Sequence, residues 1–113
     1  MSKKPRYDCA ADATMSVIEG RWKTTIICLL NNHEVLRFSE LKKKIVSISP
    51  RILTKQLREL ATDGIIERNE VDGNSSKVEY SLTDRGRSLR PVLEKLACWS
   101  LENMFIDVIE IDD

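Results

Sequence analysis

The chain has 113 residues, 42% of them apolar and 32% charged. That is enough apolar side chain for one buried core and too little chain for a catalytic domain beside a regulatory one, which excludes global disorder and argues for a single domain over 1–113. Eighteen lysines and arginines balance eighteen aspartates and glutamates, yet the balance is local nowhere: seven basic residues between Arg37 and Arg58 oppose only Glu40, and Trp99 to Asp113 holds five acids and no base.

Several functional classes fall away by counting. The longest apolar run, Ile26-Ile27-Cys28-Leu29-Leu30, is far short of the ~20 residues of a membrane-spanning helix. The basic start from Met1 to Arg6 has no apolar signal stretch, so the protein is expected to be cytoplasmic, with no membrane partner. Cys9, Cys28 and Cys98 form no C-x-x-C pair and His33 is the single histidine, so no metal site and no cofactor are expected. An odd number of cysteines in such a chain favours reduced thiols. None of the four glycines is spaced as in a phosphate loop.

In chain order, a polar arm over about 1–11 leads to a short helix that Asp12 can cap and Gly20 ends. Trp22, Ile26, Leu29 and Leu30 repeat at helical period, and the polar run Asn31 to Glu34 closes that second helix. Phe38, Leu41 and Ile45 mark a third helix behind a possible Ser39 cap, with Lys42, Lys43 and Lys44 pointing elsewhere. Ser49-Pro50 has the form of an N-cap followed by proline at the first helical position. The fourth helix so opened ends at Asp63-Gly64. Along it Leu53, Leu57, Leu60 and Ala61 occupy one arc, while Arg51, Thr54, Lys55 and Arg58 occupy another.

Past Gly64 the period changes to alternation. Val78, Tyr80 and Leu82 share one side of a strand, Ile65 to Val71 is its partner, and Asp72-Gly73-Asn74-Ser75 joins them as a hairpin. Thr83-Asp84 then caps a last helix over about 83–105, whose Leu89, Val92, Leu93, Leu96, Trp99 and Met104 form a wide apolar stripe. Pro91 should kink that helix or delay its start. An acidic tail occupies 106–113.

The expected fold is therefore α+β and mainly helical: a helix-turn-helix over about 38–63, a β-hairpin wing over about 64–82 and a long C-terminal helix. A helix about 10–12 Å across fits the ~12 Å major groove of B-DNA, so Arg51, Thr54, Lys55 and Arg58 are candidates for base edges and phosphates, with Ser49 and Pro50 at the helix N-terminus. Arg37, Lys42, Lys43, Lys44 and Lys77 are candidate phosphate contacts, with a merely solvated surface as the alternative for the lysine run. The width of the last stripe predicts a twofold dimer through Leu89, Val92, Leu93, Leu96 and Trp99, and hence a near-palindromic double-stranded operator. The competing class is a winged protein-interaction module whose basic face serves an acidic partner. A thiol enzyme has no support, because no histidine or second cysteine lies near Cys9 in sequence. Trp22 and Trp99 fit the core or a dimer interface, and Cys28 and Cys98 fit small packing residues.

Asp8-Cys9, Gly20-Arg21-Trp22-Lys23, Leu36 to Leu41, Leu53 to Leu60, Asp63 to Arg68, Val78 to Thr83, Gly86 and Leu93 to Trp99 together resemble the HxlR-type winged helix-turn-helix regulators of bacteria, a MarR-related group. The likeness covers about residues 8–100. It implies a homodimeric transcription regulator with dimer contacts from the terminal helices and leaves the inducing signal open. The chain departs from the family pattern at Ala10, Glu19 and Asn74-Ser75-Ser76. Some regulators of this kind sense oxidants or electrophiles through a cysteine matching Cys9. Lys3, Lys4, Arg6 and the helix N-terminus favour the thiolate there, Asp8 opposes it, and the alternative is a partly buried, unreactive thiol.

Overall fold

Our computed structural model describes residues 4–108. The expected arm at 1–11 and acidic tail at 106–113 therefore lie partly outside the described residues. The elements run α1 (Ala10–Ile18), α2 (Lys23–His33), β1 (Val35–Arg37), α3 (Phe38–Lys44), α4 (Pro50–Thr62), β2 (Ile66–Glu70), β3 (Val78–Leu82), α5 (Asp84–Arg87) and α6 (Arg90–Asn103). One cluster of buried side chains joins them, from Ile18 through Ile26, Ile27, Leu41, Leu53 and Leu60 to Leu82 and Leu93.

The helix starts follow where backbone donors find acceptors. The N-cap of α1 is Cys9, with Asp12 inside the first turn rather than capping it. For α3 the cap is Arg37, not Ser39: the Glu40 carboxylate reaches back to accept the Arg37 backbone N–H at 2.8 Å, the carboxylate half of a capping box. Ser49 caps α4 as its sequence predicts, its Oγ accepting the Ile52 N–H at 3.2 Å behind Pro50. Between α3 and α4 the turn is pinned by Ile45 and Ile48, both 2% exposed, while Val46 and Ser47 face outward.

The sheet is antiparallel in the order β1-β3-β2, with Leu36 and Arg68 both opposite Tyr80. No sequence signal marked β1. It is three residues long, follows a turn in which Glu34 adopts φ 63°, and exists because β3 offers it an edge. The hairpin between β2 and β3 is longer than a tight turn: Val71 and Lys77 close it through a 2.7 Å bond, around a single 3₁₀ turn over Val71–Gly73. Asn74 Oδ1 accepts from both the Ser76 N–H and hydroxyl, and this orders the tip.

At the exit of α4, Ile65 N–H bonds Leu60 C=O and Gly64 N–H bonds Ala61 C=O, a Schellman ending that needs Gly64 at its φ of +74°. The carbonyls of Gly64 and Ile65 are then met by Thr83, whose hydroxyl donates to Gly64 O at 2.6 Å and whose N–H donates to Ile65 O at 3.0 Å. The same hydroxyl accepts the Gly86 N–H at 3.0 Å and so caps α5.

Thr83 thus caps a helix of four residues, not the long last helix. The expected helix over 83–105 is two, α5 and α6, broken at Ser88-Leu89, and α6 ends at Asn103. Pro91 explains the division: it cannot donate to the preceding turn, but it sits without cost in the first turn of α6.

Gly86 lies so close to this junction that a Cβ there would collide with the Ile65 carbonyl oxygen. Gly86→Ala should therefore lower the urea-unfolding free energy by at least about 1–3 kcal/mol. A variant as stable as the parent would mean that the Ile65 peptide can move aside.

Candidate nucleic-acid interface

Helix α4 is divided lengthwise. Leu53, Leu57 and Leu60 are at most 2% exposed, each of a kind whose truncation to alanine costs about 2–5 kcal/mol in a core. Arg51, Thr54, Lys55 and Arg58 all lie on the exposed remainder. The structure brings these four onto one surface, as the helical period requires. Thr54 returns its hydroxyl to Pro50 O at 2.9 Å, and Arg51 and Arg58 have no ion-pair partner among the described residues. Ser49 and Pro50 stand exposed at the helix N-terminus.

The other candidate cations are less uniform. Lys43 is exposed, whereas Lys42 points its Nζ at the Val46 carbonyl, 3.4 Å away, and stabilises the end of α3. Lys44 is half-buried on the same turn. Arg37 lies 3.9 Å from Glu79 across the β1–β3 edge, so its charge is partly answered within the sheet. Lys77 is exposed where the hairpin tip meets β3.

An interaction absent from the sequence reading holds α4 from its other flank. Lys23, 6% exposed, pairs with Glu59 at 2.9 Å, tying the start of α2 to the C-terminal part of α4. The hydrogen bond from Lys23 is the main reason the Glu59 carboxyl is held below its ordinary pKa, with Lys55 adding a smaller pull in the same direction. Only the motif string Gly20-Arg21-Trp22-Lys23 hinted at this, because nothing in periodicity distinguishes a buried lysine from a solvated one.

Arg68 was also missed. It sits on β2 opposite Tyr80, and its Nη1 lies 3.3 Å from Glu70 Oε1. The Glu70 hydrogen bond and then the Tyr80 hydroxyl favour its protonated form. The signal was available: two residues beyond the buried Ile66, Arg68 must share its side of the strand.

The expected dimer residues separate into two groups. Leu93 is 8% exposed and Leu89 packs on the core, so both serve their own protomer. Val92, Leu96 and Trp99 are 40%, 46% and 60% exposed, and Met104 and Phe105 extend that apolar surface. Trp22 is partly buried against the core, with the Arg21 guanidinium 4.8 Å from its ring centroid. All three cysteines are exposed, which corrects the expectation that Cys28 and Cys98 fill packing positions. Cys98 is exposed on α6, whereas Cys28 borders a cleft between α2 and α6 beside Leu93 and Ala97, where partial burial pushes its thiol pKa up. No group of three or more potential metal ligands occurs among the described residues, and no described helix is long and apolar enough to cross a membrane.

A three-stranded sheet behind two short helices, with a cationic second helix and a hairpin beside it, is a winged helix-turn-helix. The HxlR-like helix-turn-helix description matches residues 17–107. The chain belongs to this family. The HxlR-like proteins are DNA-binding transcriptional regulators and not enzymes, and this chain is one of them. It is 46% identical over 90 residues to the HTH-type transcriptional regulator BH0655 of Halalkalibacterium halodurans, covering 80% of either chain. Among solved structures it resembles the redox regulator HypR in its oxidized form, at 38% identity and a TM-score of 0.72, over 87% of this chain and all of that one. It also resembles the reduced form of the transcriptional regulator YodB from B. subtilis, at 28% identity and a TM-score of 0.76, over 87% of this chain and 95% of the other.

Proposed function

We propose that this HxlR-like chain acts in the cytoplasm as a single winged domain. It binds double-stranded DNA as a twofold homodimer, with α4 of each copy in a major groove of a near-palindromic operator. The observation that carries this reading is the lengthwise division of α4, with Arg51, Thr54, Lys55 and Arg58 exposed along the flank beside its leucine face. In this reading those four residues meet base edges and phosphates, while the α4 N-terminus behind Ser49-Pro50, whose first free backbone N–H is that of Arg51, meets a phosphate. In the same reading the ammonium groups of Lys42, Lys43, Lys44 and Lys77 and the Arg37 guanidinium serve as phosphate contacts, which position the helix without reading sequence. The apolar surface of Val92, Leu96 and Trp99 supports pairing through α6. Twofold pairing would set the two α4 helices about one DNA turn apart, ~34 Å.

For the signal, we propose that the Cys9 thiol is the responsive group. It is exposed at the N-cap of α1 and makes no capping bond, so it is accessible to a modifying reagent. The likeness to HypR, a redox regulator by name, supports this reading. A modified thiol at the base of α1 would act on the operator by changing how the two copies are spaced.

Three measurements test these assignments. Alanine at Arg51 or Lys55 should cost ~1–3 kcal/mol where a base is read, or lower the salt slope of binding by ~0.9 where a phosphate is met. Folded variants that bind a selected operator like the parent would overturn the α4 assignment. A parent that gives no salt-dependent shift of duplex DNA in a gel would favour the protein-interaction alternative. In sedimentation at micromolar concentration the parent should be a dimer and Trp99→Asp a monomer, whereas a monomeric parent would contradict pairing through α6. Diamide or a quinone should release the parent from its operator but not Cys9→Ser. An equal response of both proteins, or of neither, would remove Cys9 from the mechanism.

A further inference from the structure

A cleft of 400 Å³ opens between α4 and the β2–β3 hairpin, and its chemistry is one-sided. Thr54, Arg58 and Thr62 line it from the helix, and Arg68 and Tyr80 line it from the strands. Two guanidiniums and the Thr62 and Tyr80 hydroxyls therefore line one cleft beside Leu57 and Ala61, the Thr54 hydroxyl being already donated to Pro50 O, and no carboxylate is among the lining residues. Such a set matches a tetrahedral oxyanion: guanidinium forks pair with phosphate oxygens through charge-assisted hydrogen bonds, and hydroxyls complete the shell.

The cleft also lies where a backbone phosphate would pass. Thr54 and Arg58 belong at once to its lining and to the cationic surface of α4, so the cleft continues that surface toward the wing.

We infer that this cleft seats one phosphodiester of the bound duplex, with Arg68 as the second guanidinium beside Arg58. The inference rests on the reading that α4 enters the groove and extends it to residues that the helix pattern does not contain. Arg68 is held in waiting by Glu70. Their ion pair is 3.3 Å long with the side chains 48% and 39% exposed, and solvent-accessible pairs of this kind contribute little to stability. An arriving phosphate exchanges that weak contact for a stronger one, and Glu70 stays close enough to oppose any anion in the cleft.

The test uses the full-length protein and two unrelated 30-base-pair duplexes, with dissociation constants measured across a range of KCl concentrations. Arg68→Gln should weaken binding by the same factor on both duplexes and reduce the salt slope by ~0.9, the signature of one lost phosphate contact. Arg68→Lys should restore the slope, because the charge is kept. Glu70→Gln should tighten binding severalfold without lowering the slope. Thermal unfolding of each variant establishes that it is folded.

An unchanged slope in folded Arg68→Gln, with the parent binding normally, overturns the phosphate seat and leaves the α4 reading intact. A parent that binds neither duplex overturns both. Titration with inorganic phosphate alone, followed through the Arg68 side-chain N–H signal by NMR, separates the remaining source. Saturation there at low phosphate, with the duplex slope unmoved by Arg68→Gln, would make this a site for a free anion and overturn its assignment to DNA.

Discussion

The structure depends on one close approach, that of residues 83–86 to the peptide backbone at Gly64 and Ile65. The Leu60 and Ala61 carbonyls at the end of α4 are answered locally by the Ile65 and Gly64 N–H groups, and the next carbonyls along the chain, those of Gly64 and Ile65, are answered from a distant part of the chain by the Thr83 hydroxyl and N–H. The approach is possible because Gly86 has no side chain to fill the space against Ile65. Since Thr83 also caps α5, the exit of α4, the end of β3 and the start of the C-terminal helices share one frame. The helix with the cationic face and the elements behind it are therefore bonded to one another as far as Arg87.

Within that frame, electrostatics are local although the chain is neutral overall. The basic middle of the sequence folds so that some of its charge is consumed internally and some is left for a partner. Arg37 is partly answered by Glu79, Lys42 by a carbonyl and Lys23 by Glu59, while Arg51 and Arg58 are left on an open surface. Net charge would have hidden this, because a partner responds mainly to the charges within a Debye length of about 8–10 Å rather than to the sum over the whole chain.

Much of the fold was legible in the sequence because its signals are local. Ser49-Pro50, Gly64 and the leucine spacing of α4 act within a turn or two of themselves, and the alternation of Val78, Tyr80 and Leu82 needs only one strand. What sequence reading missed depends on partners far along the chain. β1 is too short to show a period and is created by the edge of β3. Lys23 looks like any surface lysine until α4 packs beside it. The C-terminal stripe was read as wide enough for more than one side of the helix and assigned whole to a dimer, but its leucines at 89 and 93 turn inward while Val92, Leu96 and Trp99 turn outward. Pattern alone cannot divide an apolar stripe between a protomer's own core and another surface. The cationic quartet was legible and the Arg58–Arg68 cleft was not, because the cleft joins a helix to a strand.

The break at Ser88-Leu89 makes α6 a lever. Its 14 residues span roughly 21 Å, so a tilt of about 10° at the break would carry the far end through about 4 Å. The near end is anchored by Leu93 and by the junction at Gly86, and the far end carries Trp99. Small rearrangements of one or two backbone torsions would then be magnified into a displacement larger than a hydrogen bond is long, at the C-terminal end of the helix.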